Sequence, residues 1–104
     1  MANGKPIGTA LMTMCQKGID YNVRQLALIH HLAGDLTPEQ RLFKSVVKVL
    51  KVNKPSVTRA ADRLQEDGLL SRKVVPEDRR MITLALTPKG KTFATAYGLT
   101  PLVA

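Results

Sequence analysis

The hydrophobic repeat of this chain changes period at Gly68. On its N-terminal side Val57, Ala60, Ala61 and Leu64 recur at spacings of three and four, the period of one helical face. On its C-terminal side Leu70–Val75 alternates loosely and Met81–Leu86 is a β-prone run, with the polar stretch Pro76-Glu77-Asp78-Arg79-Arg80 between them. That switch predicts a two-stranded hairpin with a charged tip, set directly after a helix.

The helices before the switch carry their own start and stop signals. Asp20–Ala33 places Val23, Leu26, Ile29, His30 and Ala33 on one face, and Gly34 ends it. Thr37, Pro38 and Gln40 combine a hydroxyl cap, a proline in the first turn and a reciprocal amide partner. They predict a second helix to about Leu50, with Leu42, Phe43, Val46, Val47 and Leu50 inward and Arg41, Lys44, Lys48 and Lys51 mainly opposite. Asn53 caps a third helix that has Pro55 in its first turn and Gly68 as its stop. Two helices joined by a tight turn make a helix-turn-helix. Ile7–Cys15 reads as a short terminal helix, and Thr87-Pro88 opens a last one that runs to about Tyr97. With 104 residues and 44% apolar side chains, the expectation is a single domain over 1–104, its core at about 20–91, flanked by short terminal segments 1–19 and 92–104.

Charge points to the partner. Residues 1–36 carry three basic side chains against two acidic ones, whereas residues 37–104 carry 13 against 6, which concentrates +7 of the formal +8 in the C-terminal two thirds. A field of that sign favours a polyanion or an anionic surface. The arrangement favours duplex DNA. At 100° per residue, Ser56, Arg59, Ala60 and Arg63 form one ridge of the third helix, with Thr58 and Asp62 beside it. Arginine pairs bidentately with guanine, hydroxyls read tolerantly, and alanine lets a helix backbone approach the bases. Lys54 and the amides at the helix start suit a phosphate, as do Lys44 and Lys48 on the preceding helix. Arg72, Lys73, Arg79 and Arg80 make the hairpin basic and are expected to contact DNA from it.

The stretch Val57–Gly90 closely resembles the multiple-antibiotic-resistance regulator (MarR) family of winged helix-turn-helix transcription factors. The matching residues are Val57-Thr58-Arg59, Asp62-Arg63-Leu64, Gly68-Leu69-Leu70, Pro76-Glu77-Asp78-Arg79-Arg80 and Leu86-Thr87-Pro88-Lys89-Gly90. The resemblance implies a mainly α fold with a β-hairpin wing, and sequence-specific regulation of transcription by promoter occlusion. It further implies that Arg80 enters the minor groove while Asp78 holds it in place, consistent with the attraction of a narrow minor groove for guanidinium groups. Family members have longer terminal helices that interlock as dimers. Here Ile7, Leu11, Met12, Met14, Phe93, Tyr97, Leu99, Leu102 and Val103 suggest a more compact homodimer through the ends.

Other chemistries are disfavoured. His30 and His31 are adjacent, so they diverge by about 100° on a helix and do not chelate together. Cys15, the only cysteine, excludes an internal disulfide and is expected to be a buried, inert thiol in a reducing cytoplasm. No cofactor, metal or enzymatic activity is expected. Ile7–Cys15 is too short to span a membrane and makes a poor secretory signal. Few aromatic residues are available to stack RNA bases. The competing reading is a protein-interaction module whose winged surface binds a transcriptional or phage-encoded partner.

Overall fold

The computed structural model describes residues 7–101. The elements run α1 (Ile7–Gln16), α2 (Val23–Leu32), a 3₁₀ turn (Glu39–Arg41), α3 (Phe43–Leu50), α4 (Lys54–Glu66), β1 (Leu70–Val75), β2 (Asp78–Leu86) and α5 (Pro88–Ala96). Helices and hairpin share one core, in which Leu28, Ile29, Leu32, Val46, Leu64, Leu70 and Leu84 are fully buried.

Helices α2, α4 and α5 each begin where a side chain satisfies orphan amides. For α2 the cap is Asn22, which accepts from the Gln25 amide at 2.8 Å while the Gln25 side chain accepts from the Asn22 amide at 2.7 Å. This capping box starts the helix later than the expected Asp20. Its inner face also differs from the expected one. Gln25, Leu28, Ile29 and Leu32 are buried, whereas Val23 is 81% exposed and His30 lies at the surface. The face is turned by roughly 100°, about one residue, because α2 must contact α4, β2 and α5 together. Leu26 and Ala33 remain at the margin of the core.

The helix expected from Pro38 to Leu50 is divided. Thr37 and Gln40 do form the reciprocal cap, at 3.2 and 2.8 Å, but it closes only a single 3₁₀ turn. Leu42 then adopts an extended backbone and bridges Thr83 of β2, so the helix restarts at Phe43. The backbone of Leu42 is thus used to attach the hairpin to the helical body. Lys51 takes the left-handed conformation, with φ 55°, and turns the chain into α4.

Asn53 caps α4 by accepting from the Ser56 amide at 2.9 Å, and Gly68, with φ 79°, ends the segment. β1 and β2 pair antiparallel from Leu70↔Leu86 to Val74↔Ile82, with an irregularity at Val75. β2 begins at Asp78, so Pro76 and Glu77 alone make the turn and Asp78–Arg80 belongs to the strand. Thr87 caps α5 by accepting from the Gly90 amide at 3.0 Å. A Cβ on Gly90 would lie 2.0 Å from the Leu69 carbonyl oxygen, so the first turn of α5 can sit on the α4–β1 junction only without a side chain there.

Two further expectations change. Cys15 is exposed, because α1 buries Ala10 and Met14 and the next residue points away from that face. Of the apolar residues assigned to a dimer contact, Met14, Tyr97 and Leu99 are buried in the chain's own core, Leu11 and Met12 are exposed, and Leu102 and Val103 lie outside the described residues.

Candidate nucleic-acid interface

The exposed ridge of α4 is Pro55, Thr58, Arg59 and Asp62, followed by Gln65 and Glu66. Ser56 and Ala60, expected on that ridge, are 8% and 5% exposed and face the interior. The helix is turned by roughly one residue relative to the sequence reading. Val57, Ala60, Ala61 and Leu64 together form a wide apolar stripe, and burying all four tilts the neighbouring small residues inward. Thr58 and Arg59 keep the outward positions expected of them, and an Arg59 guanidinium nitrogen lies 3.5 Å from the Ser56 hydroxyl.

Arg63, one turn beyond Arg59, is 42% exposed at its side chain but is engaged within the protein. Its guanidinium donates to Asp20 at 2.9 Å and to Asp67 at 3.3 Å, and it lies 5.0 Å from the centre of the Tyr21 ring. The Tyr21 hydroxyl donates to Asp67, and its ring meets Phe93 edge-on at 5.7 Å. Burial and the hydrogen bond to Asp67 push the Tyr21 hydroxyl pKa well above its ordinary value. The Tyr21 hydrogen bond, and then Arg63, hold the Asp67 carboxyl below its usual range, and Arg63 does the same for Asp20. Sequence reasoning missed this cluster. Its available signal was Asp20-Tyr21, a carboxylate beside one of only two tyrosines, just ahead of a helix cap.

Arg72 is also engaged. It pairs with Asp62 at 2.7 Å and donates to the Gln65 side chain at 2.6 Å, tying β1 to α4. Lys73 and Arg79 are exposed on the hairpin, as are Lys44 and Lys48 on α3.

Arg80 has the arrangement that the resemblance implied. Its Nε and Nη2 donate to the two carboxylate oxygens of Asp78 at 3.1 and 3.3 Å, and its backbone N–H donates to Asp78 at 3.1 Å. These bonds, led by the side-chain pair, keep Asp78 ionised to lower pH, and Lys44 adds to the effect. The Arg80 side chain is nevertheless 91% exposed. Its geometry is therefore held from one edge while its reach into solvent stays open. Arg80 lines a cleft of about 230 Å³ with Lys44 of α3 and Lys54 at the start of α4, over a floor that includes Leu42, Phe43 and Met81. Three cations from three separate elements thus converge between helix-turn-helix and hairpin.

Among the described residues, no group of three or more His, Cys, Asp or Glu side chains is placed to hold a metal, and no helix is long and apolar enough to cross a membrane. A helix-turn-helix with a basic hairpin packed beside its second helix is a winged helix. The MarR family model matches residues 18–81, which spans the helix-turn-helix and most of the hairpin.

The chain belongs to the MarR family.

Solved MarR-type structures share its architecture. MepR from S. aureus, solved as a DNA complex, superposes with a TM-score of 0.73 at 20% identity, over 86% of this chain and 64% of MepR. The transcriptional regulator PcaV from Streptomyces coelicolor, solved with its natural ligand, gives a TM-score of 0.69 at 19% identity, over 86% of this chain and 68% of PcaV. A ZitR mutant from Lactococcus lactis gives 0.60 at 26% identity, over 85% of this chain and 64% of ZitR. The chain therefore spans less than two thirds of the length of MepR and ZitR. MarR-family proteins are winged-helix transcription regulators rather than enzymes, and this chain carries their fold.

Proposed function

We propose that the protein binds duplex DNA with sequence preference and regulates transcription by occluding a promoter. In this reading α4 enters the major groove, where Thr58 and Arg59 meet base edges, and the hairpin lays Arg80 along the minor groove. Lys44, Lys48 and Lys54 contact backbone phosphates, and Lys73 and Arg79 add to that contact from the wing. Arg63 and Arg72, first assigned to DNA, serve the protein instead through their carboxylate partners. The observation that carries the reading is the convergence of Lys44, Lys54 and the tethered, solvent-facing Arg80 on one cleft beside α4. An exposed Asp–Arg pair contributes only about 0–1 kcal/mol to stability, so folding gives little reason to build one at the wing. MepR, a protein with this fold, has been solved as a DNA complex, which supports DNA binding.

The acting form is proposed to be a homodimer. Leu11 and Val23, which are 45% and 81% exposed, flank an apolar depression with Leu26 and Leu99 and supply surface for a second copy. Half-sites would then be centred about one helical turn, roughly 34 Å, apart. Selection of bound fragments from genomic DNA, followed by binding measurements at physiological salt, tests the function. A fragment bound far more tightly than random duplex supports it. Equal affinity for all sequences would instead favour a protein-interaction role. Sedimentation equilibrium that finds a single-chain mass only, at tens of micromolar, would remove the dimer.

A further inference from the structure

The contacts of Arg63 give it a function that its place in the recognition helix disguises. Three groups surround its guanidinium: Asp20 and Tyr21 from the α1–α2 connection, and Asp67 at the C-terminal cap of α4. Tyr21 in turn bonds Asp67 and rests against Phe93 of α5. The cluster therefore joins three segments distant in sequence at the end of α4 opposite the Lys54 cleft.

We propose that Arg63 is a positioning residue that sets the tilt of α4 against the α1–α2 connection, and that it does not read bases or phosphates. The proposal rests on the reading of α4 as the DNA-contacting helix. A guanidinium whose Nε and Nη2 donate to two carboxylates, 5.0 Å from the centre of an aromatic ring, is oriented toward the α1–α2 connection, and turning it to DNA would strand Asp20 and Asp67 without their cation. The fork geometry matters here. One planar group reaches both carboxylates, which a lysine ammonium, as a point charge, reproduces poorly. Tilt also matters more than the weak energy of each exposed contact suggests. A helix pivoted at its C-terminal end displaces Arg59 and Thr58 from the base edges, where bidentate pairing tolerates little error.

The test uses the full chain and two probes, the tightest genomic fragment and a random duplex of equal length. Without DNA, Arg63→Ala should raise amide hydrogen exchange across residues 62–68 while the wing stays as protected as before. With DNA, it should lower affinity for the genomic fragment by about three- to tenfold and leave the slope of log affinity against log salt unchanged. Arg63→Lys should restore only part of the loss. Asp20→Asn, a change at an exposed carboxylate, should lower the ratio of fragment to random affinity in the same direction.

A salt slope shallower by about 0.9 in Arg63→Ala would show a phosphate contact and overturn the proposal. A loss confined to one base pair would show a base reader and do the same, as would a rise in specificity on Asp20→Asn. If the wild type prefers no fragment, the DNA reading of α4 fails. The exchange measurement still decides the joint in that case: unchanged protection at residues 62–68 in Arg63→Ala overturns it.

Discussion

Arg72 of β1 closes on Asp62 of α4 at 2.7 Å, while its Nε donates to Gln65 one turn further along the same helix. The wing is therefore bonded to the helix it flanks, in the C-terminal half of α4. Together with the Leu42–Thr83 bridge to the 3₁₀ segment, this contact fixes the hairpin from two sides.

The Arg72–Asp62 pair should show itself as coupling rather than as bulk stability. Arg72→Ala and Asp62→Ala are each expected to cost no more than about 1 kcal/mol in denaturant melts. Combining them should cost little beyond either alone, because both remove one interaction. Fully additive losses would show that the two side chains do not act as a pair.

At the proposed DNA surface, substitutions should separate into classes. Arg59→Ala is expected to cost about 1–3 kcal/mol of binding and to relax preference at particular base pairs. Lys44→Ala and Lys54→Ala should weaken all sequences alike and make the salt slope shallower by about 0.9 each. Arg80→Ala should lose most on sites with A·T-rich flanks. Fluorescence anisotropy on a selected fragment, a flank-altered fragment and random duplex distinguishes the three patterns. Equal losses on all three duplexes for Arg59→Ala would contradict base reading.

Gly90→Ala should be among the costliest small substitutions in the chain. The added methyl would lie 2.0 Å from the Leu69 carbonyl oxygen, and the Leu69 atoms it meets all belong to the backbone. Overpacking of this kind typically costs about 1–3 kcal/mol. A thermal melt comparing Gly90→Ala with Gly8→Ala, where a Cβ meets nothing within 4 Å, provides the internal control. Equal melting points would refute the close approach of α5 to Leu69.

Acid should destabilise the protein through His31. Its Nε2 is buried without a hydrogen-bond partner among the described residues, and burial, then His30 and Arg41, pull its pKa below the ordinary 6.5. The folded state therefore favours the neutral ring, while the unfolded chain takes up a proton near the ordinary value. Stability from this group is complete above about pH 6.5 and declines as pH falls toward the depressed folded pKa, by at most about 1.4 kcal/mol per pH unit. Asp20, Asp67 and Asp78 are shifted downward from 3.8, so their contributions are lost only at lower pH. Denaturant melts between pH 7 and 5 should show a slope that His31→Gln removes, and a slope that persists in the variant would assign it elsewhere.

Most of the architecture was legible because it is written in local chemistry. Asn53, Pro55, Gly68, Thr87 and Pro88 set helix limits through backbone amides and allowed φ values, interactions that span at most four residues. The alternation of Leu70–Leu86 determined the hairpin in the same way, and the tip motif identified Arg80 with its Asp78 partner. Helix faces were less legible. For α2 and α4 the pattern of apolar residues permits several rotations, and a small residue such as Ser56 or Ala60 suits either side. Only packing against the other helices and the hairpin selected one. The same holds for the arginines. Residues 59, 63, 72 and 80 are chemically identical, and their roles diverge because carboxylates at positions 20, 62, 67 and 78 are brought to three of them by the tertiary fold, by the helix turn or by the strand. Sequence alone thus determined which elements form and that they are basic. Tertiary structure decided which cations remain available to a partner, because a charge is engaged by its neighbours in space, and these include residues as far away along the chain as Asp20 is from Arg63.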